Sequence, residues 1–219
     1  MRHIPTGDTF HAGVLTFEEA LTPSVSDYDR ERWIYVPDHY SEYRYILGTR
    51  GEHPLICIGI NPSTAAPEWL DNTLKSAQRI AAFNGFDSFI MFNVYAQRAT
   101  IPDDMEKTMN PLLHRENMKA FSWILDSVSA HGTPDLWAAW GAVIEKRDYL
   151  AGCVLDMAGI GNRYGARWWT AGPRSKAGHP HHPLYLRSDT PLDPFPDLNN
   201  YLGKIAEKGK ARKQEMHTL

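Results

Sequence analysis

Cys57 and Cys153 are the only cysteines in the chain. Two thiols give no disulfide framework and no four-cysteine zinc or iron–sulfur site. Long apolar runs are missing as well. No stretch approaches the length that spans a bilayer, and Met1-Arg2-His3-Ile4-Pro5-Thr6-Gly7-Asp8 has no apolar signal core. The expectation is a cytoplasmic protein without a membrane partner. Excess positive charge is also lacking, because 23 Lys and Arg face 26 Asp and Glu for a net charge of −3. Tight, sequence-independent DNA binding through a basic coat is thereby disfavoured, while one local basic groove stays open. There is no Walker-type phosphate loop, no Gly-x-Gly-x-x-Gly after the first strand and no Gly-x-Ser-x-Gly elbow. Gly159-Ile160-Gly161-Asn162 follows a helical stretch, the wrong setting for a dinucleotide. Nicotinamide enzymes, P-loop NTPases and α/β-hydrolases are disfavoured, and no cofactor is implied.

What the chain does contain is enough for one α/β domain: 219 residues, of which 42% are hydrophobic. The most telling segment is Leu55-Ile56-Cys57-Ile58-Gly59-Ile60-Asn61-Pro62-Ser63-Thr64. Its continuous apolar run reads as a buried strand, and Cys57 within it as a small hydrophobe. Before it, Tyr43-Arg44-Tyr45-Ile46-Leu47 alternates like a first strand. Asp71 suits the N-cap of a helix that Gly85 ends. Ser88–Val94 reads as a third strand, and Asn110-Pro111 opens a long helix with Pro111 in its first turn. Leu136–Gly141 reads as a fourth strand running into a helix lined by Val143, Leu150, Val154 and Met157. A short last strand is expected over Arg167–Thr170, and a closing helix over Asn199–Gln214 that frays into Lys204, Lys208, Lys210, Arg212 and Lys213. Strands alternating with helices predict an α/β domain with a mostly parallel sheet. The expected division is an N-terminal extension over 1–42 that packs on the core or forms a lid, one domain over 43–200, and a helix with a basic tail over 201–219.

In such sheets ligands bind at the C-terminal ends of the strands, where topology brings Asn61, Asn93 and Gly141 together. The Asn61 amide is able to orient a water or a substrate carbonyl, although Asn-Pro is also a common turn initiator. Asn93 closes an apolar strand and needs partners there. Its amide donates and accepts at once, which suits a base edge, and satisfying loop backbone is the alternative. Arg98 is placed to hold a phosphate or carboxylate, or merely to pair on the surface. Trp69, in the loop after Asn61, is the tryptophan expected to stack on a ligand, while most of the seven tryptophans belong to the core or a pocket wall. His179, His181 and His182 invite a metal, yet their spacing is not that of a helical zinc motif and no cysteine partners them. A histidine fixed by the next proline serves instead as an electrostatic or general-acid group, or sits in a polar loop.

Two resemblances follow from these residues. Asn61-Pro62-Ser63-Thr64-Ala65, Asp71-Asn72-Thr73, Asn93 with Arg98-Ala99-Thr100, and His182-Pro183-Leu184-Tyr185 resemble the motifs of the bacterial and phage domain-of-unknown-function family 1643 over about residues 43 to 187. The chain departs from that pattern in lacking a second acid and a proline after Asp71, and in carrying Gln97 beside the arginine. More distantly, Gly59-Ile60-Asn61-Pro62, the strand ending in Asn93, Trp140-Gly141 and His182-Pro183 resemble, in order and rough spacing, the uracil-DNA glycosylase superfamily. That resemblance implies a three-layer α/β/α fold and cleavage of an N-glycosidic bond to a modified or deaminated base in DNA or a nucleotide. In that reading Asn61 positions the attacking water and His182 hydrogen-bonds the departing base. Asn93 reads the base edge, with Trp69 or Phe92 as stacking wall. Ser63, Thr64, Asp71 and Arg98 join the binding set. Leu184-Tyr185 stands where that superfamily continues with serine and a loop into the minor groove. A small nucleotide-metabolite enzyme, or a module that only reads a modified base, remains the alternative.

Overall fold

A computed structural model describes residues 2–5 and 13–217. The strands are β1 (Trp33–Val36), β2 (Ile46–Thr49), β3 (Pro54–Gly59), β4 (Ser88–Asn93), β5 (Asp135–Ala138), β6 (Arg167–Ala171) and β7 (Leu192–Pro194). The helices are α1 (Phe17–Ala20), α2 (Asn72–Phe83), α3 (Pro111–Ser129), α4 (Leu150–Arg163) and α5 (Leu198–His217). The strands form one mixed sheet in the order β1-β2-β4-β3-β5-β6-β7.

β3 is buried along its whole length and lies between β4 and β5, parallel to both. Its pleat sends Leu55 and Cys57 into one apolar cluster with Leu74, Ala77 and Ile80 of α2. Ile56 and Ile58 go to the other face, with Phe121 and Leu125 of α3 and Val154 and Met157 of α4. Both faces are therefore dry, as the unbroken apolar run requires. The crossovers through α2, α3 and α4 keep β3, β4, β5 and β6 parallel.

The sheet is less parallel than expected. β1 pairs antiparallel with β2, β2 with β4, and β7 with β6. The reason is visible at the turn between β2 and β3. A four-residue connection can only reverse the chain, and this one crosses the start of β4. The Asp87 carboxylate accepts from the Glu52 and His53 amides there. A Cβ on Gly51 would come within 2.2 Å of Ser88 Oγ. β2 thus runs opposite to the strand it flanks.

Other boundaries differ too. The expected first strand at 43–47 is split. Tyr43 bridges to Gln97, and β2 starts only at Ile46. The segment after Gly141 is a 3-10 turn over Gly141–Glu145, and α4 begins separately at Leu150. β1, within the segment read as an extension, adds an edge strand, and α1 beside it carries a capping box from Thr16 to Glu19. α5 continues helical to His217. The side chains of Lys210, Arg212 and Lys213 lie outside the described residues, so the expected basic tail is not described beyond Lys208. Among the described residues no helix is long and apolar enough to cross a membrane.

Candidate functional site

The carboxyl ends of β3, β4 and β5 open into a cleft of about 670 Å³. Five segments build it: the chain from Gly59 to Ser63, the first turn of α2, residues 99–102, the turn after Gly141, and the loop 175–185. Arg44 closes its floor together with Gly59 and Met91.

Asn61 reaches this cleft two residues beyond β3. Its Nδ2 donates to the Ala99 carbonyl at 2.7 Å and to the Pro62 carbonyl at 3.1 Å. Both amide hydrogens are thereby used, and Oδ1 is left as the acceptor. The Ser63 hydroxyl donates to Thr100 Oγ1, which also accepts from the His3 amide. An N-terminal residue is thus tied to the cleft rim.

His182 approaches on the loop 175–185. Three contacts place it. Ser76 of α2 donates to the Pro183 carbonyl at 2.7 Å. Gly141 has φ +59, a conformation that disfavours a side chain, and a Cβ there would stand in ordinary contact with His182 Cβ at 3.6 Å. Nδ1 of His182 accepts from the Leu184 amide at 3.3 Å, which puts the proton of the neutral ring on Nε2. Burial pushes the pKa of His182 below the usual 6.5, with Asp71 pulling weakly the other way. Asp71 lines the same cleft and caps α2 by accepting from the Leu74 amide.

His179 is also a cleft residue, but it turns inward. Its Nδ1 lies 2.9 Å from the Tyr201 hydroxyl and its Nε2 3.3 Å from Glu145. Trp140 Nε1 donates to the same hydroxyl. These bonds fasten α5 to the cleft wall and leave His179 little freedom. Among the described residues no group of three His, Cys, Asp or Glu side chains is arranged to hold a metal.

Asn93 sits behind the floor, 1% exposed. Its Oδ1 accepts from Arg44 Nη2 at 3.2 Å, and its Nδ2 has no partner among the described residues. The amide is consequently not free to donate and accept together, as a base-reading role had suggested. Its unpartnered atom is the donor. The Asn117 side chain holds the Asn93 carbonyl from α3 and fixes this strand end.

Four of the expected residues lie elsewhere. Arg98 is fully buried and does not line the cleft. Its guanidinium donates to the carbonyls of Ser63 and Ala65 and to the Tyr35 hydroxyl, beneath the Tyr40 ring. The fork is used to shape the 63–65 loop, so it is not available to hold a ligand phosphate. Phe92 packs in the core against Phe121. Trp69 is 82% exposed and borders a separate depression beside Tyr28 and Tyr40. Thr64 is half-buried and outside the cleft lining.

Arg44 is the residue the sequence concealed. In an alternating aromatic strand an arginine reads as solvent-facing, yet this one is 1% exposed. It donates to the Ala65 carbonyl and to Asn93, and its Nε has no partner among the described residues. Burial, reinforced by the nearby Arg98 charge, brings its pKa down to about 9. It is still a cation at neutral pH.

No curated protein and no solved structure matches the chain. One family model does, over residues 44–184, a span that begins at Arg44, ends at Leu184 and contains Asn61, Asn93, Gly141 and His182. The chain belongs to that family, described as proteins of unknown function (DUF1643).

Proposed function

We propose that the cleft hydrolyses the N-glycosidic bond of a nucleotide carrying a modified or deaminated base. One observation carries this reading. Asn61 and His182 enter the same cleft in complementary states, an acceptor on Asn61 and a donor on His182. Asn61 Oδ1 holds a water by one of its hydrogens. The water oxygen bonds to the sugar C1′ as the C1′–N bond breaks, and the bonding pair leaves with the base. The water's second proton goes to solvent. His182 Nε2–H donates to the base oxygen that gathers the negative charge, a contribution of about 2.7–4 kcal/mol for such donors. Keeping that histidine neutral, as its burial does, leaves the donor in place without a cation near the positive charge growing on the sugar.

A free nucleotide is favoured over duplex DNA. Arg44 is the one Lys or Arg among the described cleft residues, and it lies at the floor. Phosphates of a duplex crossing the mouth would meet Asp71 and the exposed Leu184 and Tyr185. The test is base release from labelled nucleotides and from single- and double-stranded oligonucleotides containing uracil, mismatched thymine, hypoxanthine or hydroxymethyluracil. Release abolished in Asn61→Ala supports hydrolysis. Binding without release, in wild type and variant alike, leaves a base-reading module instead.

A further inference from the structure

We propose that the floor of the cleft, formed by Arg44 and Gly59 with the Asn93 amide directly behind it, is a receptor for a compact oxyanion, the phosphate or carboxylate group of the ligand. Arg44 and Arg98 are 1% and 0% exposed, and neither bonds to a carboxylate among the described residues. Their hydrogen-bond partners are carbonyls, a hydroxyl and an amide oxygen, and the carboxylates that act on them, Asp71 on Arg44 and Glu42 on Arg98, do so through space. A buried cation is costly until an anion meets it. Arg98 lies behind the loop, so the Arg44 side is where an anion has access.

The donors agree with the charge. Arg44 Nε and Asn93 Nδ2 are both buried and have no partner among the described residues. The Asn93 amide cannot be turned round, because its oxygen is the acceptor for Arg44 Nη2. The unpartnered atoms here are both donors, and the group that fits them must be rich in acceptors. Gly59 lets Met91 and Asn93 pack closely against the strand backbone. A Cβ there would stand 3.1 Å from Asn93 Nδ2 and 2.8 Å from Met91 Cε. Both donors are closed to bulk water by this packing. The Met91 methyl is the part able to move, since a methionine has three free torsions. An oxygen of the ligand takes its place.

The assignment of the anion to a nucleotide phosphate rests on the glycosidase reading; the oxyanion receptor itself does not. Calorimetry with inorganic phosphate, acetate, ribose 5-phosphate and ribose tests it. Wild type should bind phosphate with ribose 5-phosphate, or acetate, and the responding anion identifies the group. Ribose should not bind. Asn93→Asp gives Arg44 its own carboxylate, and should weaken anion binding at least about tenfold while the ligand-free protein melts no lower. Gly59→Ala should weaken the same anions by crowding Asn93 Nδ2 and pinning the Met91 methyl that must move. The receptor is refuted if no anion binds wild type, if ribose binds as well as ribose 5-phosphate, or if Asn93→Asp and Gly59→Ala bind anions undiminished. Base release separates the two proposals. Anion binding without release sinks the glycosidase, whereas equal release from nucleosides and their monophosphates sinks the assignment of the anion to the nucleotide phosphate.

Discussion

Arg44 Nη2 donates to Asn93 Oδ1 across 3.2 Å, and this bond determines what each residue can offer a ligand. It leaves the amide nitrogen of Asn93 without a partner among the described residues and holds a cation under the cleft with no carboxylate bonded to it there. Arg44→Met should remove the charge and leave the Asn93 oxygen and the Ala65 carbonyl short of a donor. Losing hydrogen bonds to a charged group costs about 1.5–3 kcal/mol each, partly offset by no longer burying a cation. The net loss in a denaturant melt should therefore be small beside the loss of anion affinity. A severe stability loss with unchanged affinity would make Arg44 a purely structural residue.

Arg98 has the opposite profile. It bridges two carbonyls and a hydroxyl, which a lysine ammonium cannot span in one plane. Arg98→Lys should cost about 1–3 kcal/mol for an acceptor left unpaired. Denaturant unfolding measures it. A variant as stable as wild type would contradict the structural role given to this side chain.

Asp71 separates capping from charge. Asn caps a helix about as well as Asp, so Asp71→Asn should keep the melting temperature, while Asp71→Ala should lose about 0.5–2 kcal/mol. Because the Asp71 carboxylate raises the His182 pKa, Asp71→Asn should lower it. An NMR titration of the His182 ring reads this directly, and an unmoved or raised pKa would contradict the coupling.

Acid should destabilise the protein through its buried imidazoles. Burial holds His179 and His182 below their usual 6.5. The unfolded chain then takes up protons first as pH falls, and that uptake draws the equilibrium toward it. The contribution is intact above about pH 6.5 and is lost on acidification through the lowered folded-state values. Melting temperatures from pH 7.5 to 5 should fall, and His182→Gln should flatten part of the slope. An unchanged slope in that variant would show that His182 is not held neutral.

The strand ends were legible in the sequence because parallel strands buried on both faces leave unbroken apolar runs. Leu55–Ile60 and Ser88–Val94 are such runs, and their terminal asparagines stand out by contrast. The N-cap at Asp71 and the turn proline at Pro111 were legible for local reasons, one oxygen and one fixed φ. Strand direction at the edges was not, since short strands such as Trp33–Val36 and Leu192–Pro194 carry no period long enough to read. Arg44 does not stand out in the sequence, and Arg98 stands out for a ligand role it does not have, because sequence position does not show which arginine is buried against carbonyls and which lines a cavity. Trp69 was misplaced because an aromatic in a loop signals neither burial nor direction.

Trp69→Ala, with the ring 82% exposed and outside the cleft, should change stability by no more than about 0.5 kcal/mol. It should also leave base release from a free nucleotide unaltered. A large loss of release would bring the loop after Asn61 over the cleft during turnover.

The most direct measurement is single-turnover base release from a panel of deaminated and modified nucleoside monophosphates, comparing wild type with Asn61→Ala and His182→Ala. The account predicts release of one base by wild type, a loss of about 10²–10³-fold in the rate without the His182 donor, and no release without Asn61. Release that persists in both variants, or a wild-type protein that binds these nucleotides and never cleaves them, would contradict it.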